Sequence, residues 1–179
     1  YRKRAEMLAQ VFRALGHVHK TASPYIDTGS VQTYERNKIA TRTYLEKTRM
    51  QNEQGFSMTL AELADTGISN PRIRRSEMMT QLRGISDWGD DQGHAATFVT
   101  LTAPSRMHRC SAQGVRNPNY DGTSVRLAQA YLQQVWARIR AKLSRQNIGI
   151  YGMRVAEPHH DGCPHWHLLI FCAPKDLLT

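Results

Sequence analysis

The sequence predicts an α+β fold, with helices packed on a central, antiparallel-dominated sheet and a helical region before it. Two strand-like runs, YGMRVAE (151–157) and HWHLLIF (165–171), flank a loop with two prolines and an Asp-Gly step, as in an antiparallel hairpin. A third β-branched run, TFVTLT (97–102), is predicted to be a central strand beside that hairpin. A long amphipathic helix separates it from the hairpin, which gives the order strand, helix, strand, strand.

Residues 1–69 are predicted to form a helical accessory region, and residues 70–179 the core domain. Helices are expected over 2–19, 32–50 and 59–65, the last behind the Thr-Leu-Ala-Glu pattern of a capping box. The first of them carries an apolar stripe at helical spacing, formed by Met7, Val11, Leu15 and Val18.

Two further helices are predicted in the second domain. One, within residues 70–93, buries an apolar stripe that includes Met78 and Met79, and its cationic start either contacts phosphates or is a solvated face. The other begins after Thr123 or Ser124 and ends near Arg145. Leu132 and Trp136 broaden its apolar stripe, which has a residue at every fourth position: Leu127, Tyr131, Val135, Ile139 and Leu143.

The charge distribution favours a polyanionic partner. The chain has a net charge of +9, and residues 96–179 hold ten basic residues against four acidic ones. A basic surface of this kind either binds nucleic acid or only increases solubility.

The sequence also indicates the cellular compartment of the protein. No apolar run reaches the length of a membrane span and no signal peptide is recognisable, so we expect a cytoplasmic protein without a membrane partner. Three cysteines without a CxxC pair do not indicate a disulfide framework, and we expect reduced thiols at Cys110, Cys163 and Cys172.

The hairpin carries the strongest chemical signal. Side chains alternate along a strand, so His165 and His167 share one face, and a hairpin symmetric about Asp161 places Glu157 opposite His165. Two imidazoles and a carboxylate are a ligand set for a divalent cation, and an open, oxygen-rich site favours Mg²⁺ or Mn²⁺.

Other interpretations remain open. A one-residue bulge would turn Glu157 to the other face and leave the third ligand to His159, His160 or Asp161. Glu157 could instead form an ion pair with Arg154 or with an arginine of a helix. A second hypothesis is a non-catalytic nucleic-acid-binding module with a structural zinc, and a third is a metal hydrolase acting on a small molecule. The zinc would be held by His159, Cys163, His165 and His167.

Several residues are candidates for DNA contacts. Thr100 and Thr102 lie on one face of the predicted strand, where hydroxyl groups can bond a sugar-phosphate backbone. The long loop at 105–123 and the basic end of the long helix add polar side chains, namely Arg106, His108, Arg109, Arg116 and Arg138.

The segment EPHHDGCPHWHLLIF resembles the metal-binding motif of HUH (histidine, hydrophobe, histidine) endonucleases, in particular that of the replication gene A proteins of tailed phages. FVTLTAPSRMH resembles the first motif of that family, and NYDGTSVRLAQAYLQQVWARIRAKL resembles its intervening helix. The resemblance covers about residues 70–175 in the family's order. Cys163 stands where the family more often has Thr.

The resemblance implies an HUH/RRM-like β-α-β-β core and a metal-dependent, site-specific endonuclease and strand transferase. Such an enzyme nicks single-stranded DNA at a replication origin and starts rolling-circle replication through a 5′-phosphotyrosine intermediate. The expected partners are that DNA and the helicase and polymerase of a bacterial host cell, in whose cytoplasm the protein would act.

The family's nucleophile is a tyrosine pair spaced YxxxY on a helix beyond the histidine motif. None of the seven tyrosines of this chain has that context. We therefore expect the pair downstream of Thr179, and we expect the fragment alone to bind DNA and metal without cleaving.

Overall fold

The computed structural model describes residues 2–177, without the side chains of residues 2, 3 and 6. The described helices are α1 (Arg2–Ala14), α2 (Thr28–Lys47), α3 (Leu60–Thr66), α4 (Pro71–Asp91) and α5 (Val125–Arg145). The described strands are β1 (Arg49–Gln51), β2 (Ser57–Thr59), β3 (Ala95–Thr102), β4 (Tyr151–Pro158) and β5 (Pro164–Cys172). The predicted α+β class is confirmed.

The chain divides into two compact units, one of Gly29–Ser86 and one of Tyr1–Thr28 with Asp87–Thr179. These units divide the chain at other residues than 69 and 70, and the boundary predicted there stays a prediction. The N-terminal segment belongs to the unit that contains strands β4 and β5, because it is hydrogen-bonded to the loop after β3. The backbone N–H of Lys20 donates to the carbonyl of Ala112 at 3.0 Å. Sequence patterns do not reveal such a long-range backbone contact.

The Gly29–Ser86 unit contains a short hairpin that the sequence analysis missed. Strands β1 and β2 pair antiparallel, so α2 ends at Lys47 and Met50 lies in a strand, although a helix was predicted to reach it. Helix α3 begins as predicted: Thr59 accepts a hydrogen bond from the Glu62 N–H at 3.1 Å, and the Glu62 carboxylate accepts one from the Thr59 N–H at 2.7 Å. This reciprocal capping box satisfies two backbone donors of the first turn.

The other unit is built on an antiparallel sheet with the strand order β3-β5-β4. Strand β3 does lie beside the hairpin, but the middle strand is β5, which carries the two histidines. At Gly152 strand β4 approaches β5 so closely that an added Cβ would lie 1.9 Å from the Leu169 carbonyl oxygen. Only glycine fits there.

Helix α5 packs on one face of this sheet. Leu132, Trp166 and Leu168 form a buried cluster, and the Trp166 indole N–H donates to Gln129 at 3.1 Å. The helix begins after Ser124, one of the two predicted caps. Most of the predicted stripe faces the sheet, since Leu132 is buried and Tyr131 and Trp136 pack against the core, but Leu127 is 62% exposed whereas its neighbour Ala128 is 1% exposed.

The apolar stripes predicted for α1 and α4 are largely exposed. Helix α1 ends at Ala14, before Gly16 with its positive φ of 75°, and Met7 and Leu15 are 65% and 66% exposed while Val18 is buried. Met78 and Met79 are also exposed. Within residues 2–177 we find no helix with both the length and the apolar character needed to cross a membrane.

Candidate metal centre

Strand register brings the three predicted ligands together. Glu157 and His165 are direct partners in the β4–β5 ladder, so the predicted pairing is confirmed and no bulge intervenes. Along β5 the side chains of Trp166 and Leu168 are buried beneath α5, whereas His165 and His167 point to the opposite face. The histidines therefore lie on the sheet face that α5 does not cover.

Their donor atoms converge. Nε2 of His165 lies 2.9 Å from Nε2 of His167, and Oε2 of Glu157 lies 3.6 Å from His167 Nε2 and 3.9 Å from His165 Nε2. Neighbouring positions of an octahedral shell with bonds of about 2.1 Å are about 3.0 Å apart, so the two imidazoles match adjacent positions. Within the described part of the chain, this trio alone forms a cluster of His, Cys or carboxylate groups suited to a metal ion.

The protonation state of His165 suits ligation. Burial, followed by the neighbouring His167, lowers the pKa of His165, and this outweighs the opposite effect of Glu157. A neutral imidazole keeps a lone pair for a cation. The other ring nitrogen, Nδ1, is buried without a hydrogen-bond partner among the described residues.

His167 is oriented by strand β3. Oγ1 of Thr100 lies 3.1 Å from His167 Nδ1, and the Phe98 ring stacks on the imidazole with centroids 5.4 Å apart. When Nδ1–H donates to Thr100, Nε2 is left free on the side of Glu157. Thr100, predicted to contact DNA, thus has a partner within the candidate centre.

Two alternative third ligands are engaged elsewhere. Asp161 accepts hydrogen bonds from His108 Nδ1 at 3.0 Å, the Arg109 N–H at 3.0 Å and the Cys163 N–H at 2.9 Å. His160 Nε2 lies 3.3 Å from the Cys110 carbonyl oxygen. Both side chains are therefore held by the long loop after β3.

His159 is the alternative that remains near the centre. Its ring centroid is 4.2 Å from that of His165. Burial, followed by His165 and His108, lowers the pKa of His159 to about 4, so its imidazole is neutral at physiological pH.

The zinc hypothesis and the Arg154 ion pair find no support in the geometry. Cys163 is 3% exposed and packs in a core cluster with Ala103, Met107 and Ala128. The guanidinium of Arg154 lies 4.0 Å from the ring centroid of Trp166, on the face opposite Glu157. All three cysteines are free and buried, as expected for reduced thiols.

The candidate DNA contacts are dispersed. Thr102 is exposed on the face that carries the histidines, because it pairs with His165. In the loop, Arg106 forms an ion pair with Asp121 at 2.8 Å, and Arg109 lies over the Tyr120 ring at 5.5 Å.

Two other candidates have contrasting positions. Arg116 is exposed at a cavity next to the centre, whereas Arg138 lies on α5, the helix that covers the other face of the sheet. His108, a further candidate, is hydrogen-bonded to Asp161, and this bond raises the pKa of His108 to about 10. Sequence reasoning missed Lys20 and Tyr25, which also line that cavity.

Fold and site together define an α+β protein with a candidate divalent-cation centre on one face of an antiparallel sheet. A sequence profile described as "Bacteriophage replication gene A protein (GPA)" matches residues 1–178. The chain therefore belongs to the bacteriophage replication gene A protein family.

Individual relatives are similar over nearly the whole chain. The replication gene A protein of Escherichia phage 186 is 41% identical over 182 residues, which cover 99% of this chain and 26% of that protein. The replication protein of Haemophilus phage HP1 is 39% identical, over 92% of this chain and 21% of that protein.

A bacterial relative has a more specific name. The "Probable replication endonuclease from prophage-like region 1" of Salmonella typhi is 34% identical over 100% of this chain and 22% of that protein. The chain thus spans about a quarter of the length of these relatives. No solved structure matches the chain.

Proposed function

We propose that this chain is the metal-binding part of an HUH-type endonuclease that nicks single-stranded DNA at a replication origin to start rolling-circle replication. The observation that carries the proposal is the convergence of Glu157, His165 and His167 on one sheet face, in a member of the gene A family. The name of the Salmonella relative, a probable replication endonuclease, agrees with it.

Within this proposal Glu157, His165 and His167 would hold Mg²⁺ or Mn²⁺. Such a cation would supply Lewis-acid polarisation of a scissile phosphate and would neutralise the charge that develops during in-line displacement. Thr100 fixes the orientation of His167, and the carboxylate of Glu157 gives the site the hard oxygen ligand that these cations prefer.

The same sheet face offers a place for the DNA strand. Phe98, Thr100 and Thr102 alternate outward along β3 next to the histidine strand. An aromatic ring and hydroxyl groups on an exposed sheet face suit stacked bases and a sugar-phosphate backbone. The excess of basic residues in this half of the chain adds attraction for phosphates.

In the family that the sequence resembles, the nucleophile is a tyrosine pair on a helix after the histidine motif. Attack of such a tyrosine would leave a 5′-phosphotyrosyl protein and a 3′-hydroxyl group that a host polymerase can extend behind a host helicase. Two tyrosines near the sheet have structural roles instead: Tyr131 packs against the core clusters, and the hydroxyl of Tyr151 lies 3.0 Å from Nδ1 of His94.

Substitution of the ligands tests the proposal. In the whole protein, His165→Ala and His167→Ala should each abolish metal-dependent nicking of single-stranded origin DNA while DNA affinity stays within about threefold, because the metal acts on the transition state and the basic residues carry binding. His17→Ala, at an exposed histidine, is the matched control. Unchanged nicking by both ligand variants would reject the assignment.

A further inference from the structure

A cavity of about 930 Å³ adjoins the candidate metal centre, and Thr102 and His165 form part of its wall. The remaining wall comes from three separate segments: residues 20–25, the loop after β3 and the tip of the histidine hairpin. Its volume is in the range of cavities that enclose small organic ligands.

The N-terminal wall is fixed by backbone contacts. The Lys20 N–H donates to the Ala112 carbonyl at 3.0 Å, and the backbones of Gly16 and Gly114 meet so closely that a Cβ added to Gly16 would lie 3.0 Å from the Gly114 oxygen. Side chains at either glycine would force the two segments apart. The segment that carries Tyr25 is thereby anchored beside the loop.

The wall formed by the loop after β3 is also fixed, by hydrogen bonds within the loop. The Asn117 amide donates to the carbonyl oxygens of Ser105 and His108, both at 2.8 Å, and Cys110 forms an antiparallel bridge with Arg116. The buried carboxylate of Asp161 ties the hairpin tip to this loop through two hydrogen bonds, from His108 and from the Arg109 N–H. A cavity with walls held in this way is preformed, which reduces the entropic cost of binding.

The lining has the chemistry of a nucleotide site. Most of the lining surface is apolar, with contributions from Ala103, Val115 and three prolines, and the Tyr25 side chain at its wall is 57% exposed. Lys20 and Arg116 are exposed cations in the same wall, which contains no Asp or Glu. An apolar space with an aromatic ring and two cations fits a flat base joined to anionic phosphates.

We propose that this cavity binds one unpaired nucleotide of the DNA strand, adjacent to the phosphate held at the metal centre. Tyr25 stacks on the base, and Lys20 and Arg116 contact the flanking phosphates. The proposal rests on the proposed function and adds the site that selects the nucleotide next to the cut. The shared wall residues Thr102 and His165 make the two sites continuous.

Equilibrium binding tests the cavity without requiring cleavage. The probe is a fluorescein-labelled oligothymidylate, measured by anisotropy with the whole protein in a chelating buffer. Tyr25→Ala should weaken binding about tenfold because base stacking is lost, and Tyr25→Phe should retain affinity. Arg145→Ala, at an exposed arginine of α5, serves as the control for a general loss of positive charge.

A second measurement locates the nucleotide. In oligonucleotides that carry the mapped nick site, an abasic residue is moved one position at a time. Wild-type protein should lose about tenfold in affinity at one position beside the nick, and Tyr25→Ala should lose no further affinity there. A thermal melt of Tyr25→Ala confirms folding, which is expected because the side chain is mostly exposed.

The outcomes separate the two proposals. Wild-type affinity in folded Tyr25→Ala, or equal losses at every abasic position, overturns the nucleotide cavity even if metal-dependent nicking is found. Absence of nicking by the whole protein, together with a Tyr25-dependent loss of oligothymidylate binding, rejects the endonuclease and leaves the cavity as a nucleotide site.

Discussion

The hydroxyl oxygen of Thr100 lies 3.1 Å from Nδ1 of His167, across the ladder that joins β3 to β5. This contact sets the ring so that Nε2 is directed toward Glu157 and His165. Loss of a group that orients a metal-ligating histidine in this way lowers metal affinity by roughly 10- to 100-fold. A strand without a ligand of its own thus contributes to the candidate centre.

We therefore predict that Thr100→Val, which keeps the shape and removes the hydroxyl group, weakens Mn²⁺ binding about tenfold. Isothermal titration calorimetry measures the affinity. Thr102→Val, two residues along on the same strand face, is the control and should bind Mn²⁺ like wild type. Equal affinities for all three proteins would show that the Thr100 contact does not orient the ligand.

Glu157 is predicted to be the third ligand. Glu157→Gln should weaken Mn²⁺ binding at least tenfold, because it replaces an anionic oxygen ligand with a neutral amide. His159→Ala should change the affinity little, although its ring is the nearest alternative, with its centroid 4.2 Å from that of His165. The reverse result, a large loss in His159→Ala and none in Glu157→Gln, would assign the role to the loop histidine.

The ligand set could be predicted because it depends on local rules. Alternation along a strand and the symmetry of a short hairpin were enough to pair Glu157 with His165. The position of Tyr25 could not be predicted in this way, since it depends on close packing of Gly16 against Gly114, far apart in the chain.

The rotation of helix α5 about its axis was the second feature that the sequence predicted only in part. A stripe of apolar residues indicated α5 and included Leu132, which is buried, yet Leu127 is exposed and the small residue Ala128 is buried beside it. Small residues such as alanine allow a helix to approach a sheet closely, so the contact face follows steric fit as well as hydrophobicity.

DNA affinity should depend on Arg116 more than on Arg138. Arg116→Ala is expected to weaken oligothymidylate binding severalfold and to reduce the slope of log affinity against log salt by about 0.7, the value for one phosphate contact in single strands. Arg138→Ala, on the helix covering the opposite sheet face, should leave the slope unchanged. Anisotropy titrations at several salt concentrations provide both slopes, and equal reductions would place DNA on both faces.

The last prediction concerns the buried pair of His108 and Asp161, whose side chains are 17% and 1% exposed. The Asp161 hydrogen bond raises the pKa of His108 to about 10. Burial alone would raise the pKa of Asp161, but the hydrogen bonds from His108 and the Cys163 N–H outweigh it and lower that pKa. Asp161→Asn should reduce the free energy of unfolding by about 3 kcal/mol near pH 6, since it removes the carboxylate that stabilises the charged form of His108 in the folded state.

The pH dependence of this loss has a definite sign. A histidine whose pKa rises from 6.5 to about 10 on folding stabilises the protein fully below pH 6.5, and that contribution is lost as the pH rises toward 10. On the acid side, the contribution of Asp161 is present above its ordinary pKa of 3.8 and is lost as the pH falls through its lowered value. The difference in stability between wild type and Asp161→Asn should therefore be largest between these limits and should shrink at higher pH. Urea denaturation of both proteins across this range measures that difference in stability. The other histidines titrate in both proteins, so their effect on stability cancels when the two are compared. Parallel pH profiles for the two proteins would show that the pair is not ionised in the folded state.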